Sequence, residues 1–578
     1  MRSTFLCFSL VLVLFSFGSA KDFSLENLVP GLEGHAITAG QGNTLETFPI
    51  EVIALQRDMG LGFPLVLIRA SGEFIDKTGG VAAGMSGSPV YLKDDEDDLL
   101  LGAIGYVFPS SDHNLALVTP IAAMRGVSES LRYTPFNESV FTELGEAVPV
   151  TTPLLIAGLS ERALAPLEPL FQGRISPFAA QLGSGSTELD DLSYNLEPGS
   201  ALSVQLVRGD ITVAGVGTVT DISGDTLLAF GHPLLGQGNV SFAFAPAFIT
   251  YIVPSSVVPF KLADSGNSVL GSITQDRPAA ISGTLDLEPS FLPVTLSLTG
   301  DAGNHKKQFE ISNDERYYAP LLASAIFQIF DEVSERIGSG TTELSWDIRL
   351  KDGDTVRVLE QITDPFDIAF ATALLAGTPL DILADNIFET PQLESIALNI
   401  VYEEEERYAE IVEVVAEKEE LEPSERLVVH VRLQPYRGEP EVKTFSLELP
   451  DNHDGFLDID FRGGMETDEG DEDGEPILSY GELLVALRDN VQSKELIIET
   501  YIEGERERLE RIKLPYLVRG LETVSIKVEE PDDEEDAEDT DNAGDDTEDE
   551  ERSDDDTEDD TNDENESPDD EPTDGLEE

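Results

Sequence analysis

The segment Thr78-Gly79-Gly80-Val81-Ala82-Ala83-Gly84-Met85-Ser86-Gly87-Ser88-Pro89-Val90 sets two hydroxyls among residues with little or no side chain. Acyl transfer to a hydroxyl needs that group exposed on a tight turn, with backbone N–H groups converging where the oxyanion develops. Gly84 and Ser86 offer two such N–H groups, and Gly87 keeps the approach open. The plainer reading of the same residues is a glycine-rich hairpin between two strands.

A nucleophilic serine needs a proton acceptor, usually histidine. There are six to choose from. His305 stands beside Lys306 and Lys307, His430 lies in an alternating strand and His453 in an acidic turn. Those three read as structural. His35, close to the expected mature start, and His113, in a polar loop near the serine segment, stay open. His232 follows a strand over 226–230 and Gly231, and precedes Pro233, so it sits where a strand ends in a tight loop. It ranks narrowly first.

The serine segment matches the Gly-x-Ser-Gly-x-Pro loop of chymotrypsin-like enzymes, and in that register Ser86 rather than Ser88 is the nucleophile. Taken with Leu101-Gly102-Ala103-Ile104-Gly105-Tyr106-Val107 and Thr119-Pro120-Ile121-Ala122-Ala123-Met124, it resembles the SpoIVB-type serine peptidases. Gly215-Val216-Gly217-Thr218-Val219-Thr220 and Leu228-Ala229-Phe230-Gly231-His232 are similar to the segment that holds that family's catalytic histidine. The resemblance covers roughly residues 25–290, with the serine segment preceding the histidine segment, the reverse of the sporulation peptidase. It implies Ser86 as nucleophile, His232 as general base and Asp76 as the orienting acid, with Asp221 and Asp225 as rivals for that last role. A peptidase of this kind takes a protein or peptide substrate and needs no cofactor and no metal.

These residues must be held by strands. Short apolar runs at 48–55, 65–70, 88–92, 99–107 and 116–120, punctuated by glycine, predict a small barrel or sandwich. Lys93-Asp94-Asp95-Glu96-Asp97-Asp98 makes one charged hairpin tip. A connector over 141–200 carries β-like pieces such as 148–156 and the run Gly183-Ser184-Gly185-Ser186. Strands return at 201–206, 211–219, 226–230 and 279–285. The period then becomes helical over 318–337 and again over 366–386, where Gly377-Thr378-Pro379 predicts a break. Between them 343–359 alternates around Lys351-Asp352-Gly353-Asp354, a hairpin signal.

The fold class expected is mainly β. A serine-loop domain (21–140) and a histidine-bearing domain (201–300) form a two-part β-barrel, peptidase-like region. An α+β domain (301–394), an immunoglobulin-like β-sandwich (395–450), an acidic linker (451–476), a small α/β element (477–528) and a disordered acidic tail (529–578) follow.

Charge and targeting narrow the setting. The formal net charge is −78, from 114 acidic and 36 basic residues. Residues 529–578 hold 31 of the acids and one base, Arg552, so the tail carries −30 and the rest −48. No basic patch stands out, which argues against nucleic acid as a partner. Residues 1–20 read as a secretory signal: Arg2, an apolar core over 5–17, and Gly18-Ser19-Ala20 before the expected cleavage. The single cysteine, Cys7, lies inside it. The apolar stretch 240–260 is interrupted by Pro246, Pro254 and Pro259, so buried strands are expected there rather than a transmembrane segment. The location expected is secreted, periplasmic or cell-surface. The tail reads as a solvated polyanion, and its sharper reading is weak calcium binding by clustered carboxylates. Asn137, Asn239 and Asn565 head glycosylation-type triplets at a frequency close to chance. Two functions compete: an exported serine endopeptidase, autoprocessing included, and a non-catalytic surface protein that uses a peptidase-like fold and the sandwich for binding.

Overall fold

The computed structural model describes residues 21–528, apart from residues 130–139, 168–174, 177–193 and 467–475 and several stretches of one to four residues. The signal segment, the acidic tail, Gly183-Ser184-Gly185-Ser186, His453, most of the linker and the triplets at Asn137 and Asn565 lie outside the described residues.

The chain is mainly β and contains two closed six-stranded barrels. The first comprises β1 (Glu33–Ala39), β2 (Leu45–Gln56), β3 (Leu65–Ala70), β4 (Pro89–Asp94), β5 (Asp97–Val107) and β6 (Leu115–Pro120). Its strand order is β4-β1-β2-β3-β6-β5, and pairing of β4 with β5 closes the ring. Period-two patterning drives this. In β2, Phe48, Ile50 and Val52 are buried while Thr47, Pro49 and Glu51 are exposed, because alternate side chains of a strand face opposite ways. The interior is apolar, with Ile68, Val90, Leu92, Ile104 and Val118 among its residues.

The second barrel is built from strands Ala201–Gly209, Thr212–Ser223, Thr226–Ala229, Gly238–Val253, Gly271–Arg277 and Ala280–Leu285, closed by pairing of the first two. Val204, Val219, Phe242, Phe244 and Ile281 lie in its core. The stretch 240–260 is strand and loop, as its prolines require, and no helix among the described residues is long and apolar enough to cross a membrane. The connector contributes Thr152–Ala157, which pairs with Thr212–Ser223.

From Ala201–Gly209 the sheet runs on through Gly303–Ser312, Phe291–Gly300, Leu393–Glu403, Gly340–Leu350 and Thr355–Asp364. Helices Tyr318–Ser334 and Ile368–Ala384 pack on each other. The second does not break at Pro379. Gly377 lets its backbone approach Ala319 of the other helix, and the Trp346 indole donates to the Ala376 carbonyl at 3.2 Å. Tertiary packing thus outweighs the proline penalty.

The sandwich differs in extent from the expected 395–450. Leu393–Glu403 pairs in parallel with Phe291–Gly300 and antiparallel with Gly340–Leu350, so it belongs to the preceding sheet. A four-stranded sheet containing Tyr408–Ala416, Leu427–Pro435 and Glu441–Leu447 shares a core with a five-stranded sheet containing Gly455–Gly463, Glu495–Ile502 and Leu521–Val528. Residues read as a separate small element therefore complete this two-sheet layer. An immunoglobulin-like sandwich within 395–450 alone is not what forms.

Candidate functional site

The serine segment connects the short helix α1 (Glu73–Thr78) to β4. Met85 N–H donates to the Ala82 carbonyl (2.9 Å), Ser88 N–H to Met85 (3.0 Å) and Gly87 N–H to Ile104 of β5 (2.8 Å). Gly84 and Gly87 both take φ near +90°, a region that side chains disfavour. The turn is then pinned to the second barrel. Ser86 accepts from Thr218 N–H (2.8 Å), Thr218 hydroxyl donates to Gly84 (3.0 Å) and Thr220 hydroxyl to Gly87 (2.8 Å).

The histidine loop meets the same place from the other barrel. Phe230 and Gly231 are both left-handed, at φ 71° and 69°. Thr119 of β6 donates to the Gly231 carbonyl at 2.6 Å, and a side chain at Gly105 of β5 would overlap that oxygen. A side chain at Gly87 would overlap the Thr218 carbonyl and crowd the Phe230 amide. The serine turn and the residues just before His232 are therefore in direct contact.

His232 is 1% exposed, and its Nδ1 lies 2.7 Å from the Pro233 carbonyl. A carbonyl only accepts, so Nδ1 carries the proton and Nε2 presents its lone pair. Burial lowers its pKa to about 4, keeping the ring neutral. Ser86 and Ser88 are 0% exposed. Ser86 Oγ, Ser88 Oγ and His232 Nε2 are all buried without a hydrogen-bond partner among the described residues, so the structure brings the two loops together without a hydrogen bond between Ser86 and His232. In the serine turn, the N–H groups of Gly84 and Ser86 are likewise unbonded, whereas those of Met85, Gly87 and Ser88 are engaged. The two amides named for the oxyanion are thus the two left over. All three side chains, Ser86, Ser88 and His232, are closed off from solvent.

Asp76 does not orient His232. It sits on an exposed face of α1, in a surface depression shared with Asp112 and His113, and the His232 Nδ1 proton goes to Pro233 instead. The rivals fare no better. Asp221 is buried in an ion pair with Arg125 (3.0 Å), and Asp225 is exposed at a strand turn. His35 stacks on Tyr91, and His430 is held by Thr444 and Glu417.

Two buried charged residues beside the serine and histidine loops escaped the sequence reading. Asp276, on strand Gly271–Arg277, accepts backbone N–H groups from Leu234, Leu235 and Gly236 at 2.7–2.8 Å and from Gln237 at 3.4 Å. It anchors the chain immediately after His232, and burial raises its pKa despite those four donors. Lys261, 0% exposed on strand Phe260–Ser265, lies along Gly84 and donates from Nζ to the Thr38 hydroxyl at 2.8 Å. Burial lowers its pKa to about 7. The signals were there: an aspartate in Gln275-Asp276-Arg277 and a lone lysine after Val257-Val258-Pro259-Phe260. Among the described residues no three His, Cys, Asp or Glu side chains gather as a metal site. Comparison of the chain with protein-family models, with curated proteins and with solved structures finds no match.

Proposed function

We propose that the chain is an exported serine-type peptidase acting by acyl-enzyme chemistry, with Ser86 as nucleophile and His232 as a proton acceptor. The observation that carries this reading is the meeting of the serine turn with the histidine loop across the two barrels. Two further features support it: His232 Nε2 is in the basic tautomer, and the N–H groups of Gly84 and Ser86 have no hydrogen-bond partner among the described residues. In the reaction, Ser86 Oγ attacks the scissile carbonyl carbon and its proton leaves to a base. The oxygen that becomes negative is met by the two amides, and the C–N bond then breaks as the leaving amine takes the proton. A carboxylate is not required to set the His232 tautomer, because the Pro233 carbonyl already does so.

The complete burial of Ser86, Ser88 and His232 favours a second reading, in which a peptidase-like fold is kept without turnover. Labelling with a fluorophosphonate separates the two. The expected result is covalent labelling of the full chain that Ser86→Ala abolishes and Ser88→Ala preserves. An unlabelled wild type, or a Ser86→Ala variant that labels at the wild-type rate, overturns the peptidase reading.

A further inference from the structure

Lysine is rarely buried completely, because its ammonium loses hydration there. Lys261 is nevertheless 0% exposed, and its place ties it to the serine turn. Ala83 N–H donates to the Pro259 carbonyl (2.7 Å) and Lys261 N–H to the Ala83 carbonyl (3.0 Å). These two bonds lay the segment around Phe260 alongside the residue that precedes Gly84. A Cβ built on Gly84 would stand 3.2 Å from both Cβ and Cδ of Lys261, so the aliphatic stem runs past the glycine whose amide is free. The amine ends on the Thr38 hydroxyl of β1, a strand that also pairs with β4, into which the serine turn leads. A lysine needed only for packing could be an aliphatic residue; this one runs its stem past the nucleophile turn and bonds its amine to Thr38, with no hydrogen bond to Ser86 Oγ before a substrate binds.

We infer that Lys261 is a further catalytic residue of this site, its neutral amine receiving the Ser86 hydroxyl proton as the Oγ bond to the substrate forms. The inference rests on Ser86 being the nucleophile. In the acylation step the Ser86 O–H bond breaks, Oγ bonds to the carbonyl carbon, and Nζ becomes an ammonium. That proton passes to the leaving amine when the C–N bond breaks, and Lys261 returns neutral. With fluorophosphonate, Oγ bonds to phosphorus, fluoride leaves, and the proton stays on Nζ. Lys261 and His232 are then alternative acceptors of the same proton, and the labelling of the lysine variants separates them. Serine–lysine pairs are an established variant of the serine nucleophile arrangement.

The ionisable side chains on the elements packed around Lys261 are few. Residues 79–90 bring no ionisable side chain, and neither does Thr152–Ala157. Strand Gly238–Val253 brings Tyr251, which is exposed; β1 brings His35; β2 brings Glu46 opposite Thr38; and the lysine's own strand brings Asp264, which bonds Thr250.

The test is the rate of fluorophosphonate labelling of the full chain against pH, for wild type, Ser86→Ala, Lys261→Met, Lys261→Arg and Thr38→Val. Wild type should label faster as pH rises through about 7, and both lysine variants should label at least ~100-fold more slowly with that rise lost. Arg keeps the charge but cannot give up a proton, so its failure separates a base from an electrostatic aid. Thr38→Val keeps the amine and should displace the midpoint of the rise. Lys261→Met that melts at or above the wild-type temperature yet labels at the wild-type rate, with the rise unmoved, overturns the inference while Ser86→Ala still loses the label. A wild type that takes no Ser86-dependent label overturns the peptidase reading itself.

Discussion

At the residue scale, two buried bases tie stability to pH. In the folded chain His232 has a pKa of about 4, against an ordinary value of 6.5, so the unfolded chain binds a proton there that the folded chain refuses. Stability held above pH 6.5 is therefore lost as pH falls to 4, by roughly 3 kcal/mol in all. His232→Asn should flatten this limb of a plot of Tm against pH, and an unchanged limb would mean the ring is solvated. Lys261 behaves in the same direction at higher pH. Its pKa falls from 10.5 to about 7, so stability present above pH 10.5 is lost as pH drops to 7. Lys261→Met should accordingly raise Tm at pH 7, and the gap from wild type should narrow toward pH 10. Thermal melts at pH 6, 8 and 10 read this directly; a variant that melts below wild type at pH 7 refutes it. Such a cost fits a group retained for chemistry rather than for stability.

The residues legible in the sequence were those whose neighbours in the chain shape them. Ser86 stood out because glycines on both sides permit one kind of turn, and His232 because a strand and Gly231 precede it. Lys261 and Asp276 owe their meaning to partners far along the chain. Lys261 reaches Gly84 and Thr38, and Asp276 reaches back to Leu234 through Gln237. Asp76 misled for the converse reason: its nearness in sequence to Ser86 carried no nearness to His232.

At the scale of elements, the joint between the barrels depends on what glycine lacks. The strongest case is Gly87, at φ 91°, where a methyl group would run into the Thr218 carbonyl and the Phe230 amide. Neither obstacle is a flexible side-chain end. Gly87→Ala should cost about 3 kcal/mol or more and should also separate the serine turn from the histidine loop. The check is paired: a lower Tm together with loss of Ser86 labelling, and retention of both would show the joint to be loose. Asp276 acts at the same scale. Replacing it with alanine strands the buried donors of Leu234 and Leu235, at about 1–3 kcal/mol each. Amide exchange should quicken over residues 232–237 before the rest of the barrel opens, whereas uniform exchange would deny Asp276 its local role. Individual strands were readable from short apolar or alternating runs, and the run at 65–70 matches β3 throughout. Pairing was not. The strand at Leu393–Glu403 alternates as a sandwich strand does, yet its partners begin at Phe291 and Gly340. Alternation says which face is apolar, not which ladder receives it.

For the whole molecule the governing term is charge. If each of the 36 lysines and arginines found an acid, 78 carboxylates would still lack a partner. Many of the ion pairs among the described residues have well-exposed side chains, as in Lys21–Asp97 and Arg357–Asp347, and such pairs add little. Repulsion within the body, which holds −48 of the charge up to residue 528, therefore opposes its compact state. Salt shortens the range of that repulsion from about 30 Å at 0.01 M to about 3 Å at 1 M. Tm of the full chain should rise steadily across that span of sodium chloride. A chain ending at residue 528 has lost −30 but keeps −48, so its rise should be smaller and still present. Calcium at matched ionic strength separates screening from binding. If carboxylates of the tail take up calcium, the full chain gains more from calcium than from sodium and the shortened chain does not. Equal gains in both chains would place any calcium effect in the folded body, and a Tm that ignores salt altogether would show that the acidic excess is spread widely enough to leave the fold untaxed.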